Sequence, residues 1–397
     1  MDYKEAAGLD AKHVFQSYRR APLMLARGKG PYVFDSEGRR YLDFITGLAV
    51  NSLGHSHPKI TAAINKQAKT LAHVSNIYLT EPMLRLAQRL CGLSGMKRVF
   101  FCNSGAEANE AAIKLARKYS QNVLGKKGRA EIITMENSFH GRTIATVTAT
   151  GQTVYQEGFA PLLPGVKYAK FNDIASVEKL ITAKTCAIMV EPVQGEGGVI
   201  PATKQFMKGL AALRKKHGVL LIFDEVQCGL GRAGKWFAFE HYGVKPDIMT
   251  LAKPLGGGLP LGAMLSSEPL AKAFAPGSHA STFGANPIVC AAANAFLFVM
   301  ESEGLVERSE KLGEYFKKRI GDAARDTGKI AEVRGMGLML GIVIKDDARE
   351  AAGFFRDRGI LINAVRQDVI RILPPLIITE RHADEFVKVL KEFLLRK

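Results

Sequence analysis

The sequence predicts an α/β protein: a large domain with a mainly parallel sheet, and a smaller α+β domain. Short continuous apolar runs recur through the middle of the chain, for example Cys-Ala-Ile-Met-Val at 186–190 and Val-Leu-Leu-Ile-Phe at 219–223. Such runs are typical of strands buried on both faces of a sheet. Helical patterns separate most of the runs, which favours parallel strands joined by crossover helices. From Pro287 onward the pattern changes to two long helices, short strands and a final helix.

The main sheet is predicted to begin at Arg98. A strand at Arg98–Cys102 leads into a helix at 107–119, and the alternation of strands and helices continues to about residue 265. The chain has no internal repeat and no Ser/Pro-rich linker that would divide this region. Further strands are predicted at Glu131–Met135, 186–190, 219–223, 247–251 and 261–265.

A second lobe is predicted from both ends of the chain. Its C-terminal part is predicted to have short strands near 337–344 and 370–373 and a final helix from about Glu380, and N-terminal strands around 32–34 and 41–44 are expected to join this lobe. We therefore predict an N-terminal segment of residues 1–50 that joins the small domain, a large domain of residues 51–290 and a C-terminal small domain of residues 291–397.

The chain carries a large surplus of positive charge. The difference between 55 basic and 38 acidic residues is +17, which would suit a nucleic-acid partner. However, the basic patches at 126–129 and 214–216 are short and lack interleaved aromatic residues for base stacking. We therefore expect no nucleic-acid partner. A non-catalytic basic binding protein stays an alternative, and a salt-dependent affinity for nucleic acid would distinguish it.

Cysteine usage and hydropathy indicate the compartment. Five cysteines without a CxxC pair argue against a disulfide framework or a zinc site and for a reducing environment. His55 and His57 have no third ligand near them in the sequence, so we expect no metal. The N-terminus lacks the apolar core of a signal peptide, and the apolar stretch 288–300 is too short to span a bilayer. We expect a cytoplasmic protein with no membrane partner.

Two predicted strands end in groups with complementary chemistry. Asp224 follows the run 219–223, and Lys253 follows the run 247–251. Ligands of open α/β sheets bind at the carboxyl ends of strands. Pyridoxal 5′-phosphate (PLP) requires a lysine for its covalent attachment and a carboxylate for its pyridine nitrogen. Taken alone, the pair does not decide between this interpretation and ordinary polar residues at strand ends.

The segment that joins the first main strand to its helix could hold a phosphate. Small residues at Ser104, Gly105 and Ala106 leave backbone N–H groups free at a helix N-terminus, where the helix dipole favours an anion. Ser104 followed by Glu107 is also an ordinary capping box. The two interpretations are compatible because capping does not use every free donor.

Two further loops carry candidate contacts. Phe139 could stack on a flat ring, and Arg142 could bind a carboxylate in a bidentate fork. Taken singly, Phe139 is better interpreted as an ordinary core aromatic and Arg142 as an ordinary surface arginine. The loop at 279–284 offers the hydroxyls of Ser281 and Thr282 just before a predicted helix start at Pro287.

Seven segments, in order along nearly the whole chain, match the motifs of one family. They are GHSHP at 54–58, NSGAEANEAAIKLAR at 103–117, FHGRT at 139–143, EPVQGEGG at 191–198, FDEVQCGLGRAG at 223–234, LAK at 251–253 and STFGANP at 281–287. The chain thereby resembles the class III (ω-amino) aminotransferases of the PLP-dependent transferase fold type I. Within that class it is most similar to the acetylornithine aminotransferases. The resemblance implies a seven-stranded sheet, PLP as cofactor and a homodimer with shared active sites.

The resemblance also implies a role for each matching residue. Lys253 would bond the cofactor, and Asp224 would pair with its pyridine nitrogen. Glu196 and Arg371 would form a pair that closes for an ω-amine and opens for the α-carboxylate of glutamate. Of the others, Val226 and Phe139 would cover the ring faces, Gln227 would bind the ring hydroxyl, Ser104, Gly105 and Ala106 would bind the phosphate, Thr282 would reach the phosphate of the neighbouring subunit, and Arg142 and Ser281 would contact the substrate carboxylate.

Two positions depart from the family pattern. Pro254 follows the lysine where smaller residues are common, and Ala285 stands where glycine is usual. Neither change removes a reacting group, so the implied chemistry is retained.

The implied reaction transfers an amino group from N2-acetyl-L-ornithine to 2-oxoglutarate, as in arginine biosynthesis. Lys253 would move the proton, and burial is expected to lower its pKa for that task. Ornithine, succinylornithine, 4-aminobutyrate and lysine-pathway donors stay open as alternatives, because the matching residues do not distinguish among them.

A nicotinamide-dependent oxidoreductase is a distant alternative. The segment 229–234 satisfies G-x-G-x-x-G, and Asp247 lies downstream. A lone match of this kind is weak. The glycines do not follow the strand directly, and no clear helical period follows them, whereas a dinucleotide requires that helix N-terminus.

Overall fold

The computed structural model describes residues 1–396, with 17 strands in four sheets and 12 α-helices. The strands are β1 (Leu25–Lys29), β2 (Tyr32–Asp35), β3 (Arg40–Asp43), β4 (Arg98–Cys102), β5 (Glu131–Met135), β6 (Val166–Ala169), β7 (Thr185–Val190), β8 (Val193–Gln194), β9 (Ile200–Pro201), β10 (Leu220–Asp224), β11 (Ile248–Leu251), β12 (Gly262–Ser266), β13 (Ile330–Met336), β14 (Met339–Ile344), β15 (Ile360–Leu361), β16 (Asn363–Arg366) and β17 (Val369–Ile372). The helices are α1 (Tyr3–His13), α2 (Thr46–Ala49), α3 (Pro58–Ala68), α4 (Glu81–Ser94), α5 (Gly105–Lys118), α6 (Ile144–Ala149), α7 (Ile174–Leu180), α8 (Lys204–His217), α9 (Pro287–Ser302), α10 (Leu305–Thr327), α11 (Ala348–Asp357) and α12 (Glu380–Leu395).

A seven-stranded sheet forms the centre of the fold. Its strand order is β4-β12-β11-β10-β7-β5-β6. Strand β12 runs antiparallel to both of its neighbours, and the other neighbouring strands are parallel. Every residue of β7 and β10 is buried, as continuous apolar runs in a sheet covered on both faces require. The predicted α/β fold with a mainly parallel seven-stranded sheet is confirmed.

Strand β6 and helix α11 are among the elements that have no counterpart in the sequence predictions. Strand β6 lies at the edge of the sheet and includes Lys167 and Tyr168, and only one of its four residues is buried. It therefore lacks a continuous apolar run. Helix α11 buries Ala348, Ala351 and Phe355, which have helical spacing. Because the helix is short, this periodicity is a weak signal in the sequence.

The N-terminal strands pack with the C-terminal part of the chain. Strand β3 pairs in parallel with β15, and β13-β14-β17-β16 form an antiparallel sheet. The ring of Phe44 stacks on Phe386 of α12 with centroids 5.4 Å apart, and both rings pack edge-on against Phe316 of α10. The predicted domain limits at residues 50 and 290 stay a prediction.

Arg232 joins the loop after β10 to two distant segments. Its guanidinium is fully buried and donates to the carbonyls of Leu338 and Pro374 and to the hydroxyl of Ser52. Burial lowers the pKa of Arg232 to about 9. A buried cation that donates to three segments fixes them relative to one another, because each lost bond would leave a desolvated donor. One of these segments directly follows β17, which carries Arg371.

No single helix among residues 1–396 is long and apolar enough to cross a membrane. Helices α9 and α10 meet the length and composition criteria only as a pair, and they bend by 62° where they join.

Candidate active site

A cavity of about 500 Å³ lies at one edge of the seven-stranded sheet. Strands β4, β10 and β11 all end there, because β4 and β11 both run antiparallel to β12. The structure brings ten of the thirteen predicted site residues to its wall; Ser281, Thr282 and Arg371 do not line it. The ten are Ser104, Gly105, Ala106, Phe139, Arg142, Glu196, Asp224, Val226, Gln227 and Lys253.

Asp224 ends β10 inside a network of hydrogen bonds. Its Oδ2 accepts from Asn109 Nδ2 at 2.7 Å and lies 2.8 Å from Nδ1 of His140, while its Oδ1 accepts from the backbone N–H of Val226 at 3.0 Å. Asn109 is itself fixed by the hydroxyl of Thr250, which donates to its Oδ1 at 2.7 Å. These hydrogen bonds fix the position of the Asp224 carboxylate at the wall of the cavity.

Sequence reasoning did not assign Asn109 or His140 to this network. Burial disfavours the charged form of His140, but the hydrogen bond and charge of Asp224 outweigh burial and raise the pKa of His140. Asn109 lies one turn into α5 from Gly105, within the segment NSGAEAN. The available signal was an amide, Asn109, on the side of α5 that packs on the sheet. A buried amide requires hydrogen-bond partners, so such a position indicates a polar network.

Lys253 lies two residues after the end of β11, at the start of a short 3-10 turn. Its φ of +42° is unusual for a residue with a side chain, and such strain persists only where the surroundings enforce it. Burial lowers the pKa of Lys253, although the nearby carboxylates of Asp224 and Glu196 act in the opposite direction.

The N-terminus of α5 opens onto the cavity. Ser104 caps the helix by accepting from the N–H of Glu107 at 3.1 Å, and Glu107 in turn accepts from the N–H of Asn103. A Cβ at Gly105 would lie 2.8 Å from a methyl of Val226. Glycine is therefore required where Val226 reaches over the helix start. The 14-residue helix presents free N–H groups of the kind that bind phosphate.

Arg371 reaches the cavity indirectly, through Glu196. Its Nη1 donates to Glu196 Oε1 at 2.5 Å and to Gln227 Oε1 at 3.3 Å, and its Nη2 donates to Asn363 at 2.8 Å. Arg371 is only 2% exposed. Burial works to raise the pKa of Glu196, but the charge and hydrogen bond of Arg371 outweigh it and hold that pKa below its ordinary value. The predicted pair is formed in this structure.

Phe139 and Arg142 also line the cavity. The N–H of Phe139 donates to Glu191 at 3.0 Å, and burial raises the pKa of Glu191 to about 7. The guanidinium of Arg142 lies 4.1 Å from the ring centroid of Tyr155. Sequence reasoning assigned no role to Glu191 or Tyr155.

Ser281 and Thr282 line a separate concavity with Asn103 and Glu107. The hydroxyl of Ser281 accepts from Asn103 Nδ2 at 3.2 Å and from the N–H of Gly284 at 3.0 Å. Within one chain these two residues are therefore not part of the main cavity. Ala285, which follows, has a φ of +62°, a left-handed conformation that accounts for the glycine expected at this position.

The glycine-rich segment 229–234 does not form a dinucleotide site. It folds into turns, and the element that follows it is a single 3-10 turn at Ala238–His241 rather than a helix. Among residues 1–396, no group of three or more His, Cys, Asp or Glu side chains is arranged to hold a metal ion.

The donor set fits a flat, phosphorylated aldehyde. An amine at Lys253 can bond the aldehyde, and the carboxylate of Asp224 can pair with a ring nitrogen. The start of α5 can bind the phosphate, and Val226 and Phe139 both line the cavity.

The chain matches the family Aminotransferase class-III over residues 14–394. It is 50% identical over 384 residues to an acetylornithine aminotransferase of Methanocaldococcus jannaschii, with 97% of this chain and 96% of the relative covered.

Two solved structures have the same fold over their whole length. The acetylornithine aminotransferase of Elizabethkingia anophelis matches with a TM-score of 0.89 at 37% identity, covering 100% of this chain and 99% of that one. An ornithine aminotransferase of Toxoplasma gondii, which has PLP at partial occupancy in its active site, matches with a TM-score of 0.94 at 32% identity, covering 99% and 94%.

Proposed function

The chain belongs to the class III aminotransferases, and we propose that it transfers the δ-amino group of N2-acetyl-L-ornithine to 2-oxoglutarate. The products are N-acetyl-L-glutamate 5-semialdehyde and L-glutamate, a step of arginine biosynthesis. One observation carries the proposal: Lys253 and Asp224 share a cavity with the N-terminus of α5, which is the set of groups that a pyridoxal cofactor requires. The acetylornithine aminotransferases among the relatives support the choice of donor.

The cofactor in this proposal is PLP. Lys253 would hold it covalently, and Asp224 would keep its ring nitrogen protonated. When bound, PLP withdraws electrons from the carbon that bears the substrate amine and so makes the proton on that carbon acidic. Val226 and Phe139 would contact the ring faces, Gln227 the ring hydroxyl, and Ser104, Gly105 and Ala106 the phosphate.

Lys253 is the proposed base. Once the incoming amine had displaced Lys253 from the cofactor, its Nζ would accept the proton from the amine-bearing carbon of the substrate and deliver it to the cofactor carbon that receives the amino group. Only the neutral amine accepts a proton, so the pKa lowered by burial makes more of the active form available near neutral pH.

Glu196 and Arg371 would adapt one site to two substrates in turn. With the pair formed, as in this structure, the charge of Arg371 is neutralised and the δ-amine end of the donor can enter. With the pair opened, Arg371 would bind the α-carboxylate of glutamate or the matching end of 2-oxoglutarate in a bidentate fork. Arg142 and Ser281 would contact the carboxylate of the acylated donor.

We propose a homodimer with shared active sites. The side chains of Ile77, Leu79 and Phe283 are 61–79% exposed. They border one another, because Asn76 donates to the carbonyls of Ser281 and Gly284 at 3.0 and 2.8 Å. An apolar patch of this kind marks a protein interface. It would place Ser281 and Thr282 at the site of the partner subunit, where Thr282 would bind the phosphate.

We further propose that the enzyme is cytoplasmic, with its N-terminal segment, large domain and small domain divided near residues 50 and 290. All five cysteines are free, and four of them are buried. Free buried thiols suit a reducing compartment.

The amine donor is tested by single half-reactions. The purified protein with bound PLP is mixed with N-acetylornithine, succinylornithine, ornithine or 4-aminobutyrate, with no keto acid present. The absorbance of the bound cofactor reports each amine transfer. We expect the fastest change with N-acetylornithine, and recovery of the original spectrum on addition of 2-oxoglutarate.

A faster change with another amine would keep the cofactor and the chemistry but replace the donor. Ornithine is the first such candidate, because the Toxoplasma ornithine aminotransferase shares this fold closely. If no cofactor absorbance appeared even after PLP was added, the cofactor proposal itself would be wrong.

A further inference from the structure

Arg142 is held at the cavity wall by an aromatic contact. Its guanidinium carbon lies 4.1 Å from the ring centroid of Tyr155 and 5.6 Å from that of Phe139. Across residues 1–396 its side chain forms no hydrogen bond or ion pair within the chain. A guanidinium over an aromatic face is attracted by the ring quadrupole, while its five N–H donors lie in the guanidinium plane and stay free for a ligand.

The ring of Tyr155 is itself fixed. Tyr155 ends the 3-10 turn Thr153–Tyr155, and its N–H donates to the carbonyl of Gln152 at 3.1 Å. The ring lies edge-on to Phe139 at 87°, with centroids 5.7 Å apart. Among the described residues its hydroxyl has no hydrogen-bond partner. The contact with Arg142 therefore depends on the ring and not on the hydroxyl.

We propose that Tyr155 is a positioning residue that sets the affinity of the site for the carboxylate of the amine donor. Its ring holds the guanidinium of Arg142 beside the cavity before the substrate arrives. This inference rests on the proposed function, in which Arg142 binds that carboxylate. Without the ring, an exposed arginine samples many rotamers, and ordering it on binding weakens affinity.

An aromatic support has an advantage over an acidic one. A carboxylate partner would hold Arg142 equally well, but it would occupy the same N–H donors and neutralise the charge that a substrate carboxylate requires. The ring of Tyr155 restrains the cation and leaves its charge and its donors available. Arg371, by contrast, is paired with Glu196 and must release it before it can bind a substrate.

The test is equilibrium binding of two ligands that cannot react. N-acetyl-L-norvaline keeps the acetamide and the carboxylate of the proposed donor but lacks its δ-amine, and N-acetyl-L-norvalinamide also lacks the carboxylate. Each is titrated calorimetrically into the PLP-loaded protein. We expect Tyr155→Leu to weaken binding of the acid roughly threefold to tenfold, as the loss of one cation–π contact and one ordered side chain implies. Binding of the amide should not change.

Three variants make the result specific. Tyr155→Phe keeps the ring and should retain wild-type affinity for the acid. Val154→Ala changes an exposed neighbour in the same turn and should also leave it unchanged. In an Arg142→Met background, which lacks the cation, Tyr155→Leu should have no further effect, because the ring acts only through Arg142.

The proposal is wrong if Tyr155→Leu binds the acid as the wild type does, or if it weakens acid and amide equally. It is also wrong if Tyr155→Leu still weakens acid binding in the Arg142→Met background. If the wild-type protein binds acid and amide alike, Arg142 does not bind the carboxylate, and both this inference and that part of the proposed function fall. If the wild type discriminates between acid and amide but Tyr155→Leu binds the acid as tightly as the wild type does, this inference is wrong and the proposed function stands.

Discussion

The two sides of the cavity are built in different ways. Around Asp224, Asn109 and His140 bond the carboxylate directly and Thr250 bonds Asn109. Asp224 and Thr250 are residues of strands β10 and β11 of the seven-stranded sheet, so this network does not join it to another sheet. Around Arg371, the ion pair joins β17 of a separate antiparallel sheet to Glu196, which lies in the loop between β8 and β9.

This difference indicates which side of the cavity can change conformation during turnover. Removing any member of the Asp224 network leaves a buried polar group without a partner, which costs about 1–3 kcal/mol. The Glu196–Arg371 pair can open at lower cost, because Glu196 is 22% exposed in its side chain and lies beside the cavity. Both half-reactions require the Asp224 side in the same state. The Arg371 side, by contrast, must be paired with Glu196 in one half-reaction and open in the other. Substitutions should therefore lower both half-reactions equally on the Asp224 side and unequally on the Arg371 side.

The largest effect is expected from Lys253→Ala. The change removes the proposed cofactor attachment and the proposed base together, and loss of a positioned base alone lowers a rate by about 10²–10⁴-fold. Both half-reactions, measured by stopped-flow absorbance, should fall by at least this amount and by the same factor. A variant that loses one half-reaction and keeps the other would show that Lys253 does not serve both.

Asp224→Asn comes next. In the wild type, Asn109 and His140 both contact a carboxylate oxygen of Asp224. In the variant they would contact an amide instead, and the negative charge opposite the ring nitrogen would be lost. We expect both half-reactions to fall together by roughly 10²–10³-fold, the usual effect of removing one preorganised electrostatic contact.

Asp247→Asn is the matched control for this substitution. Asp247 directly precedes β11, at the end of that strand away from the cavity. There it accepts from the N–H of Leu221 at 2.9 Å. Its replacement should leave both rates near those of the wild type. Unequal losses in Asp224→Asn would contradict the comparison between the two sides.

Arg371→Lys should separate the half-reactions. Lysine keeps the charge but lacks the planar fork that binds a carboxylate through two parallel bonds. We expect KM for 2-oxoglutarate to rise roughly tenfold or more, since hydrogen bonds to charged groups contribute about 1.5–3 kcal/mol. The half-reaction with N-acetylornithine should change much less, because Arg371 is neutralised by Glu196 at that stage. Glu196→Gln should act in the opposite direction and favour the carboxylate substrate over the donor.

The pH dependence of the donor half-reaction tests the base. Burial lowers the pKa of Lys253, and the neutral amine is the active form. The rate should therefore rise with pH and level off at an inflection below the ordinary lysine value of about 10.4. A stopped-flow profile from about pH 6 to about pH 10, which lies below that ordinary value, would detect the inflection. A rate that still rises tenfold per pH unit at the upper end would contradict the assignment of Lys253 as the base.

The sequence predicted the Asp224 side better than the Arg371 side, for a physical reason. Asp224 and Lys253 each end an apolar strand, and strands of one parallel sheet end at the same edge, so their proximity follows from a local rule. The pairing of Arg371 with Glu196 spans 175 residues. No pattern within either segment implies it, and it entered the predictions only through family resemblance.

Other contacts could not be predicted from spacing. The bonds from Asn109 and His140 to Asp224 span 115 and 84 residues, and the stacking of Arg142 on Tyr155 depends on how the loop before Tyr155 folds back. Thr282 does not line the cavity of its own chain. Its proposed role requires a second subunit, which lies beyond what one sequence pattern specifies.

The smallest effect on activity is expected from Thr250→Val, at the far end of the Asp224 network. Thr250 is fully buried, and its hydroxyl donates to Asn109 without touching the cavity. Its loss leaves the Oδ1 of Asn109 without a donor, so we expect the protein to be less stable by about 1–3 kcal/mol. Both half-reactions should slow equally and by less than about threefold, since the net value of one more distant hydrogen bond is about 0.5–1.5 kcal/mol and only part of it reaches Asp224.

Thr134→Val is the control for stability. Thr134 lies on β5 of the same sheet and is also fully buried, but its hydroxyl has no hydrogen-bond partner in the described structure. Removing an unpaired buried hydroxyl should leave the thermal midpoint unchanged or raise it. The two valine variants delete the same group from the same sheet, so the difference between their midpoints isolates the bond to Asn109. If Thr250→Val slowed one half-reaction and not the other, the Asp224 side would not serve both half-reactions in one state. The proposed contrast with the Arg371 side would then be wrong.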